Sequence, residues 1–160
     1  MIRNVNYSDI ARICEIYNYY IKNTTTTFEE TEVGELEIEK RINEIITNYT
    51  WIVFEDSGET VGYAYASKWK ERTAYRHSAE SSIYLNKDYF GKGIGKKLLS
   101  RLIEEVQTKD IHTLIGAIAL PNKASIELYE KLDFKKVAHF KEVGYKFGRW
   151  IDVGYWEKII

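Results

Sequence analysis

Residues 88 to 97 read DYFGKGIGKK. Gly91, Gly93 and Gly95 alternate with Lys92 and Ile94, and Lys96, Lys97 and Arg101 follow closely. Directly after them, Leu98, Leu99, Leu102, Ile103 and Val106 repeat at helical spacing. Glycines and lysines therefore stand at the mouth of a helix. The first N–H groups of a helix lack backbone partners and carry partial positive charge. Glycine lets an anion approach such a backbone closely. The residue types and their spacing fit a phosphate cradle; a glycine turn beside solvated lysines fits them as well. Two other phosphate motifs are excluded. A P-loop needs Ser or Thr after Gly-Lys, and Lys97 follows Gly95-Lys96. A dinucleotide fingerprint needs G-x-G-x-x-G in an early βα unit, whereas this G-x-G-x-G lies mid-chain after several strands.

Other residue types capable of chemistry are sparse. His77, His112 and His139 lack ligand spacing, and Cys14 is the only cysteine. Neither a metal site nor a disulfide framework is expected. Cys14 falls on an apolar stripe and reads as core packing.

The elements that must position the glycine motif follow from periodicity. MIRNVNY reads as a first strand. Ser8 is placed as the cap of a helix carrying Ile10, Ile13, Cys14, Tyr17 and Ile21 on one face. A second helix begins near Glu35, with Ile38, Ile42, Ile45 and Ile46 on one face. Two strand-like runs flank the turn DSGE, and SAESSIYL is a further strand. After the glycine helix come HTLIGAIAL as a strand and NKASIELYEKL as a helix capped by Asn122. Two closing strands lie near FKKVAHFKEV and RWIDVGYWEKI. The order βααβββαβαββ predicts an α/β (α+β) fold: one mixed sheet with helices on both faces.

Composition bounds the rest. The 160 residues carry 23 Lys+Arg against 24 Asp+Glu, a net charge of −1. One domain over 1–160 is expected. No global field draws the chain to nucleic acid or a membrane. Without a signal-like start or a long apolar run, the expected location is cytoplasmic. The 13 tyrosines suit walls that are apolar with a polar tip.

The strand–G-x-G-x-G–helix unit, in this element order, resembles the GNAT acetyltransferases, and within them the phosphinothricin N-acetyltransferase group. The similarity rests on FEE after the threonines, AYRHSAESSIYLNKDYFGKGIGKKLL, ALPNKASIELYEKLDF and EVGYKFGRWIDVGYWEK. It implies a GNAT-type, mostly antiparallel sheet, acetyl-CoA as co-substrate without a metal, a small-molecule amine as acceptor, and a homodimer. Carried over by residue, it implies that Ile83, Tyr84 and Leu85 line the pantetheine and acetyl group. Gly91, Lys92, Gly93, Ile94, Gly95 and Lys96 would hold the pyrophosphate, with Asn122 touching the cofactor from the next helix. Glu80 matches the proposed general base, and Tyr129 the tyrosine that protonates the departing thiolate. Lys70, Glu71, Arg72 and Tyr75 fall where the amino-acid pocket is shaped, and Phe28 where another wall stands. Phe90 departs from the usual Arg/Gln. Asp133 stands where glycine usually caps a helix in the left-handed conformation, which aspartate tolerates better than most residues.

The chemistry these roles imply is consistent. An α-amino group with a pKa near 8 must lose a proton before it attacks, so a base is needed. Arg72 could grip an acceptor carboxylate bidentately, and the Lys70/Arg72/Arg76 cluster points to an acceptor that bears one. A backbone N–H near Leu85 is expected, by resemblance, to meet the oxyanion. Plainer roles fit the same residues: Glu80 paired with Arg76, Tyr129 packed in the core, Asn122 a helix cap only. The leading expectation is acetylation of small amino acids resembling phosphinothricin or methionine sulfoximine. The alternatives are another acceptor (a protein N-terminus, a polyamine or an aminoglycoside) or a non-catalytic CoA-binding module. Trp150, Tyr155 and Trp156 hint at a dimer surface, or else fill the core.

Overall fold

The computed structural model describes residues 1–160. Seven strands form a single sheet: β1 (Ile2–Asn4), β2 (Trp51–Asp56), β3 (Glu59–Lys68), β4 (Ser78–Leu85), β5 (Thr113–Ala119), β6 (Lys135–Lys146) and β7 (Arg149–Ile159). Four helices accompany them: α1 (Ile10–Asn23), α2 (Glu35–Ile46), α3 (Ile94–Gln107) and α4 (Lys123–Glu130). The chain order is βααβββαβαββ. In space the strands run β1-β2-β3-β4-β5-β7-β6, antiparallel throughout except for the parallel pair β4/β5.

Side chains alternate across each strand, so the sheet has two apolar faces. One packs Val61, Ala64, Ala66, Ala79, Leu114 and Ile118 against Leu98, Leu99, Leu102 and Val106 of α3 and Tyr129 of α4. The other packs Trp51, Val53, Tyr63 and Tyr84 against Ile13, Ile16, Tyr17, Tyr20 and Ile21 of α1, and Ile38 and Ile42 of α2. Within α2 the buried face is narrower than the periodicity suggests: Ile46, on the last turn, is exposed.

Local signals explain the boundaries. The β2–β3 turn places Ser57 and Gly58 at φ of 53° and 83°, the positive angles that a tight hairpin demands. The first strand is shorter than the run MIRNVNY, because Asn6 starts a capped turn. Its side chain accepts from Ser8 N at 2.9 Å, and Asp9 accepts from Asn6 N at 2.8 Å. Asn6, not Ser8, therefore caps the short turn that leads into α1, and α1 itself starts after Asp9 without a side-chain cap. Asp133 sits at φ +65°, the left-handed position that ends α4. Cys14 is buried, with its thiol 3.2 Å from the Val33 carbonyl.

Candidate active site

The start of α3 is bare. Gly93 occupies the position before the helix at φ +76°, where an L side chain is strained, and no side chain caps the first turn. A Cβ added at Gly93 would meet nothing within 4 Å, so the space before the helix is open. Gly91 and Gly95 flank it, Ile94 is buried, and Lys96 is exposed beside the first turn. Lys92 lies over the Tyr89 ring at 4.2 Å and Lys97 reaches toward the Phe54 ring at 5.9 Å. Phe90 is exposed.

Next to this helix the sheet divides. Strands β4 and β5 pair only from Ser78–Thr113 to Ser81–Gly116. Beyond that, β4 continues to Leu85 on β3 alone, while β5 continues to Ala119 on β7 alone. The result is a wedge between β4 and β5. Asn86 N–H donates to Val61 O on β3 at 2.8 Å, so Leu85 faces the other way. Tyr20 Oη donates to Leu85 O at 2.9 Å and lies 3.2 Å from Leu85 N. The Leu85 N–H is thus engaged by Tyr20. Backbone direction alternates along a paired strand, so Ile83, two residues earlier, turns its N–H and C=O into the wedge.

The three residues at the end of β4 do not face one way. Ile83 and Leu85 pack on the α3 side of the sheet. The Tyr84 ring is buried on the α1 side, 5.1 Å from Tyr17 and 5.0 Å from Tyr20. What Tyr84 can offer a molecule in the wedge is main chain.

Tyr129 reaches the wedge from α4. Its ring lies over Gly116, where a Cβ would stand 2.2 Å from it, so the glycine is what admits the ring. The phenol oxygen is 2.9 Å from Ser81 Oγ, at the last pair before the strands part. Burial pushes the phenol pKa up to about 12, against the opposing effect of the hydrogen bond with Ser81. The ring also meets Phe134 edge-on at 4.9 Å.

Glu80 stands on the opposite face, with Ser82 and Tyr84, directly across from Ser67 of β3. Arg76 does not reach it; that guanidinium donates to Thr73 O at 3.3 Å. Burial raises the Glu80 carboxyl above its ordinary range, opposed only by the charge of Lys70. Around it, Tyr155 meets Trp69 and Phe140 edge-on, each at 5.6 Å. Burial and the Glu80 charge together push the Tyr155 phenol up. A cavity of about 170 Å³ opens on this face, lined by Tyr17, Arg41, Trp51, Tyr65 and Ser67 among others. A larger concavity, about 610 Å³, is remote from all this. It lies beside β1 and α1, lined by the ion pairs of Arg3 with Asp9 and Glu55.

The remaining candidates sit on two loops. Lys70, Glu71, Arg72 and Tyr75 occupy the β3–β4 loop and are exposed. Glu71 pairs with Lys68 at 3.2 Å, and Lys70 lies over Trp69 at 4.8 Å. Phe28 belongs to the α1–α2 loop, which is fastened at several points. Its ring rests against Gly144 of β6. The buried Lys146 donates to Thr27 O at 2.9 Å, and Tyr17 holds both Thr27 and Glu29. Arg41 forks onto Glu29 at 2.7 and 2.8 Å. Asn122 caps α4 through Oδ1, 3.1 Å from Ser125 N, which leaves its amide nitrogen free to serve another partner.

Periodicity and spacing missed Tyr20, Ser81 and Lys146, and did not place Tyr155 near Glu80. Each becomes visible only when distant segments meet. Of the three aromatics assigned jointly to a surface or the core, Trp156 is 1% exposed and donates to Glu130, so it fills the core. Trp150 is 63% exposed, and Tyr155 is half-buried.

A sheet that opens between a parallel pair, with an uncapped helix start beside the opening, defines a class of acyl-transfer domain. The profile described as "Acetyltransferase (GNAT) domain" matches residues 2–154, and the chain belongs to this family of acetyltransferases. Among its relatives, a phosphinothricin N-acetyltransferase of Streptomyces viridochromogenes is 32% identical over 98% of this chain and 86% of its own. An L-methionine sulfoximine/L-methionine sulfone acetyltransferase of Salmonella typhimurium is 35% identical over 95% and 90%. A GNAT superfamily phosphinothricin acetyltransferase from Sinorhizobium meliloti, solved in complex with AcCoA, superposes with a TM-score of 0.97 at 36% identity, covering 100% of this chain and 88% of that one.

Proposed function

We propose that the whole chain, 1–160, acts as one GNAT domain that moves the acetyl group of acetyl-CoA to the α-amino group of small amino acids resembling phosphinothricin or methionine sulfoximine. One observation carries the reading: the wedge joins an uncapped, lysine-flanked helix start on one side to an unpaired, partly buried carboxylate on the other.

The residues fit the thioester. Open amides at Gly93 to Lys96 suit a pyrophosphate, and the edge of β4 at Ile83 suits an extended pantetheine. Bound there, acetyl-CoA supplies an activated acyl carbon. The protein does the rest. The Ile83 N–H, directed into the wedge, replaces the expected donor near Leu85 as the group that meets the developing oxyanion. Glu80 takes a proton from the acceptor amine, directly or through water; its burial raises it toward the pH at which a base works best. Tyr129 holds the proton that the leaving sulfur needs. Lys70 and Arg72 receive the acceptor carboxylate, with Glu71 and Tyr75 shaping that loop and Phe28 forming the facing wall.

We also infer a cytoplasmic homodimer that needs neither nucleic acid nor a membrane. The exposed apolar residues Val137, Phe140, Val143, Tyr145 and Trp150 of the terminal hairpin support the pairing. No helix is long and apolar enough to cross a membrane.

Thiol release from acetyl-CoA, measured across amino acids, sulfoximines, polyamines and peptides, tests the reading. Turnover is expected with the sulfoximine and the phosphinothricin-like acids. E80Q should lower kcat by about 100-fold or more at neutral pH. The deficit should shrink as pH rises and the amine loses its proton unaided. In the unaltered protein, activity needs ionised Glu80, so it should fall as pH drops through a carboxyl pKa above the ordinary range. No thiol release at saturating amine would end the substrate assignment.

A further inference from the structure

Ser81 is a buried hydroxyl that the reading above does not use. It sits at the last β4–β5 pair, where the wedge begins. Ser81 Oγ donates to Ile115 O at 3.1 Å. A hydroxyl carries one proton. With that proton on Ile115 O, the 2.9 Å contact with Tyr129 runs the other way: the phenol donates and Ser81 accepts. A second, longer approach from the phenol to the Ser81 carbonyl, 3.4 Å, points in the same direction. At rest, then, the phenol proton is turned toward β4.

This arrangement creates a problem and contains its solution. A buried phenol is a reluctant acid, because its anion is poorly solvated. The anion can form only if a donor swings to meet it. Ser81 is the hydroxyl in hydrogen-bond contact with that oxygen, and rotation about its Cβ–Oγ bond moves its proton from Ile115 O to Tyr129 Oη. We propose that Ser81 is a positioning residue for proton donation by Tyr129: it parks the phenol proton at rest and stabilises the phenolate once the proton has gone. The proposal rests on Tyr129 being the donor in the reading above. As the acceptor nitrogen closes its bond to the acyl carbon, the C–S bond breaks and sulfur keeps the electron pair. Tyr129 Oη gives its proton to that sulfur. Ser81 turns to donate to the phenolate, and the phenol is restored when the proton that Glu80 took from the amine is released to solvent and returned to it.

Three variants separate the roles. Y129F tests the donor, S81A removes the switch, and S81C keeps the volume with a much weaker hydrogen-bonding group. If S81A folds poorly, S81C carries the test. S81T restores a hydroxyl. The expected result for S81A and S81C is kcat lower by about 10-fold, KM for both substrates within about 2-fold, and a larger solvent deuterium isotope effect on kcat. S81T should recover most of the rate. In the protein alone, the Tyr129 ring-carbon resonance bearing the hydroxyl, labelled with ¹³C and assigned with Y129F, should move in S81A and S81C and return in S81T. Full turnover in Y129F would remove the donor and Ser81's role together. Loss of rate in Y129F beside unchanged kcat, isotope effect and resonance in S81C would overturn the Ser81 proposal alone. A lower melting temperature with unchanged kcat would overturn it equally, as the mark of a merely structural hydroxyl.

Discussion

Two helices begin close to the wedge, and they begin differently. At α4, Asn122 accepts the Ser125 N–H, so the helix start is partly satisfied from within the chain. At α3, Gly93 offers no side chain, and no other residue caps the first turn. Both starts carry the same orphan amides and the same partial charge. The difference lies in who supplies the acceptor. One start is closed by its own sequence and serves stability. The other is left open beside Lys92, Lys96 and Lys97, and in the function proposed above it serves a partner with oxygens of its own. An N-cap is worth about 1 kcal/mol, so leaving one out is a measurable sacrifice.

Substitutions can break or sharpen that contrast. The largest effect is expected from G93V. Valine is strained at φ +76° and its methyls would stand before the open amides. Losing two or more charge-assisted hydrogen bonds should weaken coenzyme A by about 100-fold or more in calorimetry. Unchanged affinity would erase the distinction between the two helix starts. N122A should do the reverse: about 1 kcal/mol of stability lost, a melting temperature lower by roughly 2–4 °C, and affinity for coenzyme A reduced far less than in G93V. An affinity loss equal to that of G93V would mean that both starts serve the ligand. The smallest effect belongs to K96A. An exposed charge beside the cradle should contribute about 2- to 3-fold at low salt, fading toward parity as salt rises.

The contrast between the helix starts was partly legible in the sequence. Glycines at 91, 93 and 95 ahead of a strong apolar stripe, and Asn122 ahead of another, are local signals, and local signals survive without a structure. The element order was legible for the same reason, because period-2 and period-3.6 runs alternate cleanly between turn residues. What escaped depends on contacts across the chain. Ser81 and Tyr129 are 48 residues apart, and nothing in SAESSIYL says that its second serine meets a tyrosine. Tyr20 reads as one more apolar position on α1, yet its hydroxyl closes the end of β4. Lys146 reads as a surface lysine in an alternating strand, yet it is 1% exposed and pins the loop of Phe28. Even Ser8 for Asn6 is such a miss: both residues can cap, and only the backbone path decides.

The short join between β4 and β5 has a mechanical meaning. Strands β1 to β4 make one panel and β5 to β7 another, and the backbone ladder crosses from panel to panel only over four register pairs. Past them, the panels are held by side-chain packing in the shared core and no longer by a strand ladder. On the proposed reading, a molecule spliced into that gap completes a fabric that the polypeptide leaves unstitched, and the enzyme is most whole while it is at work.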